Sequence, residues 1–373
     1  MAQSNHLIEL VHSRIDEFLE TRQPIVTSVS PDLTPLLEFS RQFLSGGKRF
    51  RALFCYWGWQ SVGTGGPVGS GPDSARSGAA SAPVISAAAA LEIFHAAALV
   101  HDDIIDNSDT RRGAASAHKL FEGMHVRSGW AGNQVEFGRA AGILLGDLLL
   151  GWSDELLDEG LAAAPDAAAA ARARIEFNRM RTEVTVGQYL DILEERAWLT
   201  QPETELFDRA LRVIVFKSAK YSVQAPLVIG AALAGADAEH LDALRAFGLP
   251  LGIAFQLRDD LLGVFGDASV TGKPSGDDLR EGKRTVLVAL ARENLTDTAR
   301  TNLDGLLGDP LLTETQIGML QRTILDSGAV ERIEALILAN VAEALAALEG
   351  SPISGAVTTR LTELAETVTR RAF

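Results

Sequence analysis

Two short acidic runs carry the strongest chemical signal in the sequence. The first is His101-Asp102-Asp103-Ile104-Ile105-Asp106, with Asp109 and then Arg111-Arg112 just beyond it. Asp102 and Asp106 are four residues apart. On a helix they share one face, where the two carboxylates repel each other and the negative end of the helix dipole adds to the repulsion. A cation relieves that arrangement, and hard carboxylate oxygens suit Mg²⁺, which keeps waters and recruits phosphate oxygens to complete its octahedron. Taken alone, the run also fits a solvated acidic helix end. The second run, Phe255-Gln256-Leu257-Arg258-Asp259-Asp260-Leu261-Leu262-Gly263, begins its aspartates 157 positions later (259 minus 102) and also closes an apolar segment. Facing each other across a helical bundle, the two runs would form an anionic mouth that binds several Mg²⁺ ions and, through them, a diphosphate.

A third segment, Gly187-Gln188-Tyr189-Leu190-Asp191, places Gln188 and Asp191 at i,i+3 on an otherwise apolar helix. If Asp191 is buried it needs a metal or another cation as partner; if it faces solvent it needs none. Basic groups recur in matching places: Gly46-Gly47-Lys48-Arg49-Phe50-Arg51, Arg111-Arg112, Lys217, Lys273 and Lys283. Arginine offers forked donors to phosphate oxygens, and glycines ahead of Lys48 let the backbone approach an anion. Each basic run by itself is ordinary surface, so the weight lies in their recurrence beside metal-type motifs.

The elements that must position these residues are helices. Ala- and Leu-rich segments with apolar residues three and four apart dominate, and strand-like alternation is scarce, so the fold class is all-α. The periodicity predicts helices over 5–21, 34–61, 83–107, 138–159, 167–197, 204–234, 238–265, 284–292, 313–325, 329–349 and 354–371, with irregular segments at 113–138 and 266–282. No linker divides the chain, which predicts a single domain over 1–373. The Gly/Ser/Ala-rich stretch 61–82 is expected to be a flexible connecting loop between two helices. Pro83 to Val100 is interrupted by Ser86, Glu92 and His95, so it reads as a buried helix and not a membrane span.

Composition narrows the function. With 46% hydrophobic and 22% charged residues, the 373-residue chain has ample material for a core. Its 34 Lys and Arg against 49 Asp and Glu give a net charge of -15, which repels nucleic acid and anionic lipid, so a phosphate ligand requires local basic groups or metal. Cys55 is the only cysteine, which excludes an intrachain disulfide and a multi-cysteine zinc site and fits a reducing compartment. The N-terminal residues lack the pattern of a signal peptide, and the expected location is the cytoplasm.

In order and spacing, these motifs resemble the polyprenyl synthase family, the trans-isoprenyl diphosphate synthases, over roughly residues 30 to 300. The resemblance implies an isoprenoid synthase fold, an antiparallel helical bundle around a deep central cavity, and a homodimer. It implies Mg²⁺-dependent condensation of isopentenyl diphosphate with an allylic diphosphate: ionisation of the allylic carbon–oxygen bond, addition of the isopentenyl double bond, and loss of a proton. By the same resemblance Asp102, Asp106, Asp191 and Asp259, with Asp103 and Asp260, would hold several Mg²⁺ ions. Arg111, Lys217, Gln188, Gln256, Lys273 and Lys283 would bind the allylic diphosphate; Lys48, Arg51, His95 and Arg112 would bind isopentenyl diphosphate; Lys217 and Ser218 would act in catalysis.

Two positions depart from the family. Gly263 stands where many relatives place a third aspartate, although Asp267 and Asp277 remain nearby, and Ser218 stands where threonine is frequent. Ala97 and Ala98, in the turn before Asp102, replace the bulky aromatic of relatives that stop at farnesyl. With Phe94 as floor, geranylgeranyl diphosphate is the expected product, against the alternatives of a farnesyl or longer-chain synthase. Two readings of another class stand beside this one. A silent partner subunit of a mixed oligomer could dispense with aspartates that this chain has. A di-iron bundle would draw on Glu92-Ile-Phe-His95 and Glu122-Gly-Met-His125 but leaves both aspartate runs unexplained.

Overall fold

The computed structural model describes residues 2–63, 74–267, 275–353 and 355–369. Within them the protein is all-α apart from a two-residue antiparallel ladder. The chain forms two compact units, Met1–Glu176 with Pro226–Leu241, and Phe177–Ala225 with Asp242–Phe373.

In the first unit α1 (Ala2–Val29), α2 (Thr34–Leu44) and α3 (Phe50–Gln60) precede the long α4 (Ser74–Ile105), which is followed by α5 (Ala117–Arg127) and α6 (Gln134–Ala162). Helix α4 packs on α6, α3 and α1. Its alanines allow this: Ala87 to Ala90 are fully buried, and α6 answers with glycines, among them Gly146, where a Cβ would run into the His101 ring. That close approach seats the acidic end of α4. Ser153 on α6 donates to the Ala90 carbonyl at 2.7 Å, and Phe18 meets Trp152 edge-to-face at 6.5 Å between centroids. The segment Ser81–Ile105 is long and apolar enough to cross a membrane, but 83% of its most apolar window is buried inside the protein. That matches the expected core helix.

The second unit contains most of α7 (Ala167–Ala197), then α8 (Leu206–Val213), a π-helical stretch Ile214–Gln224 that leads into α9 (Ala225–Leu233), and most of α10 (Ala238–Phe265). It continues with α11 (Asp277–Glu281), α12 (Val286–Asn294), α13 (Asp297–Leu306), α14 (Glu314–Asp326), α15 (Ala329–Leu348) and α16 (Gly355–Thr369). Its core gathers Leu257, Leu261 and Val264 of α10 around α12, which is buried on every side from Val286 to Ala291. Arg258, inside the second acidic motif, grips Glu334 with two bonds of 2.6 and 2.7 Å and the Thr369 carbonyl at 3.0 Å, so its role is to anchor α15 and α16.

Several element boundaries depart from the periodicity. The helix predicted over 34–61 is two helices, because Gly46 and Gly47 take φ of +69° and +86° and turn the chain between them. Residues 74–82 of the expected loop 61–82 are the first turns of α4, their alanines favouring helix, while 64–73 lie outside the described residues. Within the expected irregular segments stand α5, the start of α6 and α11, and α13 also escaped the periodicity. These are short or polar helices in which a tertiary cap or contact outweighs a weak apolar stripe. Thr296, for example, caps α13 at the Ala299 amide.

Candidate active site

In the first unit, the basic motif and α4 are joined by one buried ion pair. Arg49 has φ of 52° and is buried. It donates to Glu92 Oε2 at 3.3 Å and to the Leu44 carbonyl, and Glu92 Oε1 accepts the Ala52 amide at 3.1 Å. Glu92 therefore holds both the Gly46–Arg49 turn and the first turn of α3, one helical turn before His95. Arg112 approaches from the other side: a Cβ on Gly47 would stand 3.3 Å from its Nη2. Burial, then Arg51, Arg112, Arg111 and Arg49 in that order, hold the His95 pKa well below its ordinary value, so the ring is neutral beside four guanidinium groups. Burial also lowers the Arg112 pKa. Arg49, Asn107 and Arg112 are the non-glycine residues with positive φ among those described, and all three lie in the loops around these motifs, where strained backbone is retained for function. The structure thus brings Arg51 and Arg112 close to His95, with Lys48 exposed on the Gly46–Arg49 turn.

The acidic end of α4 is divided in role. Asp102 and Asp106 are half-buried, whereas Asp103 has 0% exposure. Arg111, on the short strand β1 (Thr110–Arg111) paired with β2 (Ala114–Ala115), donates from Nε to Asp103 Oδ1 at 2.8 Å, again from Nη2 to the same oxygen, and to Asp102 Oδ2 at 3.3 Å. Of the three residues below this end, Phe94 and Ala97 are buried, and Ala98 is half-buried on the stripe of Asp102.

In the second unit, the π-helical stretch carries Lys217 and Ser218, both half-buried. Gly187 makes room for it, since a Cβ there would lie 2.6 Å from the Phe216 carbonyl carbon and 2.7 Å from the Lys217 nitrogen. The wide turn sets the Lys217 ammonium on Asp191 Oδ2, with Lys283 at 4.0 Å from the same oxygen and 3.4 Å from Glu281. Asp191 is 8% exposed, so it is the buried carboxylate with cationic partners. Gln188 lies half-buried one turn before it. Asp259 is half-buried and Asp260 is 5% exposed. Asp260 Oδ1 accepts the Gln256 amide at 2.8 Å, while Oδ2 is buried with no hydrogen-bond partner. Burial pushes the Asp260 pKa up to about 8; the Gln256 bond opposes this, and the charges of Asp278, Asp259 and Asp191 add to it. Lys273 lies outside the described residues.

Among the described residues no three His, Cys, Asp or Glu side chains converge as a ready metal cage. The donor set nonetheless fits Mg²⁺. It is made of hard carboxylates with more negative charge than the adjacent lysines neutralise, and Asp260 Oδ2 is buried without a hydrogen-bond partner. The di-iron arrangement does not form: Glu92 is held by Arg49, Glu122 by Lys119 at 2.6 Å, and His125 faces the Ala131 carbonyl at 3.1 Å.

Sequence reasoning missed two groups. Glu92 is a lone acid in an apolar helix, a visible signal that was attached to iron chemistry. Asp278 gives no local signal, because it joins the cluster from a different helix.

The polyprenyl synthetase family profile matches residues 34–321, and the chain belongs to this family. It is therefore a prenyltransferase with the isoprenoid synthase fold. The geranylgeranyl diphosphate synthase of Methanosarcina mazei is 30% identical over 336 residues, 89% of this chain and 86% of its own. The geranylfarnesyl diphosphate synthase of Aeropyrum pernix is 32% identical over 255 residues, 68% of this chain and 72% of its own. Among solved structures, a geranylgeranyl pyrophosphate synthase from Corynebacterium glutamicum, complexed with isoprenyl diphosphate and magnesium, superposes with a TM-score of 0.89 at 37% identity, covering 98% of this chain and 99% of that one.

Proposed function

We propose that the protein condenses isopentenyl diphosphate with allylic diphosphates to make geranylgeranyl diphosphate, residues 1–373 serving this one activity. The observation that carries the reading is the arginine cluster around neutral His95 on the same helix that ends in Asp102 and Asp106. An anion site and a carboxylate pair on one rigid helix is what a bimolecular reaction of two diphosphates needs.

In this reading Lys48, Arg51, His95 and Arg112 bind isopentenyl diphosphate, and the neutral imidazole donates a hydrogen bond without adding charge. Asp102 and Asp106 of the first unit and Asp191 and Asp259 of the second supply oxygen ligands to Mg²⁺. Asp103 and Asp260 are buried behind them. Bound Mg²⁺ neutralises charge developing on the leaving diphosphate. Lys217, Lys283, Lys273 and Arg111 contribute cationic donors to its oxygens, Gln188 and Gln256 contribute amides, and Ser218 a hydroxyl. The apolar surface of α4 around Phe94, Ala97 and Ala98 receives the growing chain and keeps water from the allylic cation. Relatives named as geranylgeranyl diphosphate synthases support a product of this length. The protein is assigned to the cytoplasm as a homodimer, in line with its lone cysteine and with the family resemblance.

Incubation with labelled isopentenyl diphosphate, Mg²⁺ and dimethylallyl, geranyl or farnesyl diphosphate should yield one geranylgeraniol peak after dephosphorylation. EDTA should abolish it, and Asp102→Ala should lower the rate by about 10²–10³-fold. Ala98→Phe should shift the product to farnesol. A longer ladder from the native chain would remove Phe94 as floor, and no product from any primer would favour the silent subunit.

A further inference from the structure

Glu183, Gly187 and Asp191 follow one another at four-residue steps along one stripe of α7, and the π-helical stretch Ile214–Gln224 crosses that stripe at the glycine. On each side of the crossing a lysine of the stretch meets an acid of α7. Lys217 sits on Asp191, and Lys220 donates to Glu183 Oε1 at 3.0 Å. The Lys220 ammonium also stands 4.5 Å from the centroid of the Phe216 ring, with its side chain 18% exposed. Arg179 donates to the same Glu183 oxygen at 3.2 Å, but its side chain is 59% exposed and the contact is screened by solvent. The stretch rests on α10 as well: a Cβ on Gly252 would lie 2.5 Å from the Ala219 carbonyl oxygen, and one on Gly248 would lie 2.7 Å from the Gln224 Cα.

Eleven residues are a long run of a rare backbone form that usually occurs as single turns at functional sites. In α-helical register the side chains of the stretch would turn about its axis, and Lys217 would leave Asp191. The Lys217 pair cannot hold the register during turnover, because in the proposed chemistry that ammonium turns to the diphosphate oxygens. Lys220 is engaged on the other side of Gly187, by Glu183 and Phe216. We propose that Lys220 and Glu183 are positioning residues: their ion pair keeps the stretch in π register on α7, and so keeps Lys217 aimed while the allylic diphosphate is bound. The inference rests on the proposed role of Lys217 and adds what holds that lysine in place.

Steady-state kinetics on the full chain, with farnesyl and isopentenyl diphosphate varied in turn and thermal unfolding measured alongside, test it. Lys220→Met keeps the apolar stem over Phe216 and removes the ammonium. It should raise KM for farnesyl diphosphate about tenfold and leave KM for isopentenyl diphosphate and the melting temperature near native. Glu183→Gln, nearly isosteric, should do the same and carries the test if Lys220→Met does not fold. The double variant should be no worse than either single one, and Lys220→Arg should keep native values. Native KM values in folded Lys220→Met or Glu183→Gln would overturn the inference when Lys217→Ala raises KM for farnesyl diphosphate or lowers kcat. Equal rises for both substrates with a lower melting temperature would overturn it too, since the pair would then support the fold and not one lysine. If Lys217→Ala is itself indistinguishable from the native protein, the diphosphate role of Lys217 falls, and the inference with it.

Discussion

Asp103 and Asp260 are the middle aspartates of two similar runs, and the protein buries both, but it neutralises them differently. Asp103 has a resident cation: Arg111 reaches it from a two-residue strand and touches Asp102 in the same gesture. Asp260 has the amide of Gln256 on one oxygen and three further aspartates in its field. In the first run, then, the buried aspartate has a guanidinium partner, and Asp102 and Asp106 beside it are half-buried. The second is electrostatically unfinished, with lysines on Asp191 and surplus negative charge around Asp260. Its folding tolerates that surplus by keeping a proton on Asp260, whose pKa lies near 8, and a divalent cation would relieve it.

Neutralising the two aspartates should thus have opposite consequences for stability, and this is the largest effect expected from the comparison. Asp103→Asn leaves Arg111 without its main partner inside the first unit and should destabilise by about 3–5 kcal/mol. Asp260→Asn replaces a carboxyl that the fold already holds protonated at neutral pH and should leave the metal-free melting temperature unchanged or higher. Denaturant titration of both variants decides the matter, and equal losses would break the contrast.

A smaller effect is expected from the ion pair that carries the anion site. Glu92→Gln keeps the bond from the Ala52 amide while weakening the hold on Arg49, for a loss of about 1–3 kcal/mol. Since the Glu92 carboxylate is taken up by Arg49 and the Ala52 amide, the proposed isopentenyl diphosphate site predicts that KM for that substrate rises with little change in kcat. A fall in kcat alone, or a change confined to the allylic substrate, would refute this positioning role.

The smallest is a dependence of stability on pH. Burial lowers the pKa of His95, His118 and His240, so the folded protein holds them neutral while the unfolded chain binds a proton near pH 6.5. More protons bound by these histidines in the unfolded state means that their contribution to stability is fully present above about pH 6.5 and falls as pH drops below it; the raised pKa of Asp260 acts in the opposite sense over the same range, so the histidine effect is read in the Asp260→Asn background. Chemical denaturation at pH 7.5 and 5.5 should show the loss, and His240→Asn, which removes the partner of the Ser61 hydroxyl at 2.6 Å, should flatten part of the slope.

The residues themselves determined a great deal. The all-helical class followed from apolar spacing, and the chemistry followed from Asp102, Asp106, Asp191 and Asp259 standing at helical intervals beside Lys217, Lys283 and paired arginines. These are local properties: a carboxylate pair at i,i+4 shares a face wherever its helix goes. The burial of Asp191 was left open by spacing alone and was settled by packing, because only the close approach at Gly187 lets the Lys217 turn reach it. What no local pattern contained was partnership across distance. Arg111 is a phosphate binder by sequence and a clamp on Asp103 in the fold; Glu92 is a stray acid by sequence and the support of the Gly46–Arg49 turn in the fold. Gly263 is a missing aspartate by sequence and the seat of the Asp278 carboxylate in the fold, since two helices decide together what fills one volume and neither carries that information alone.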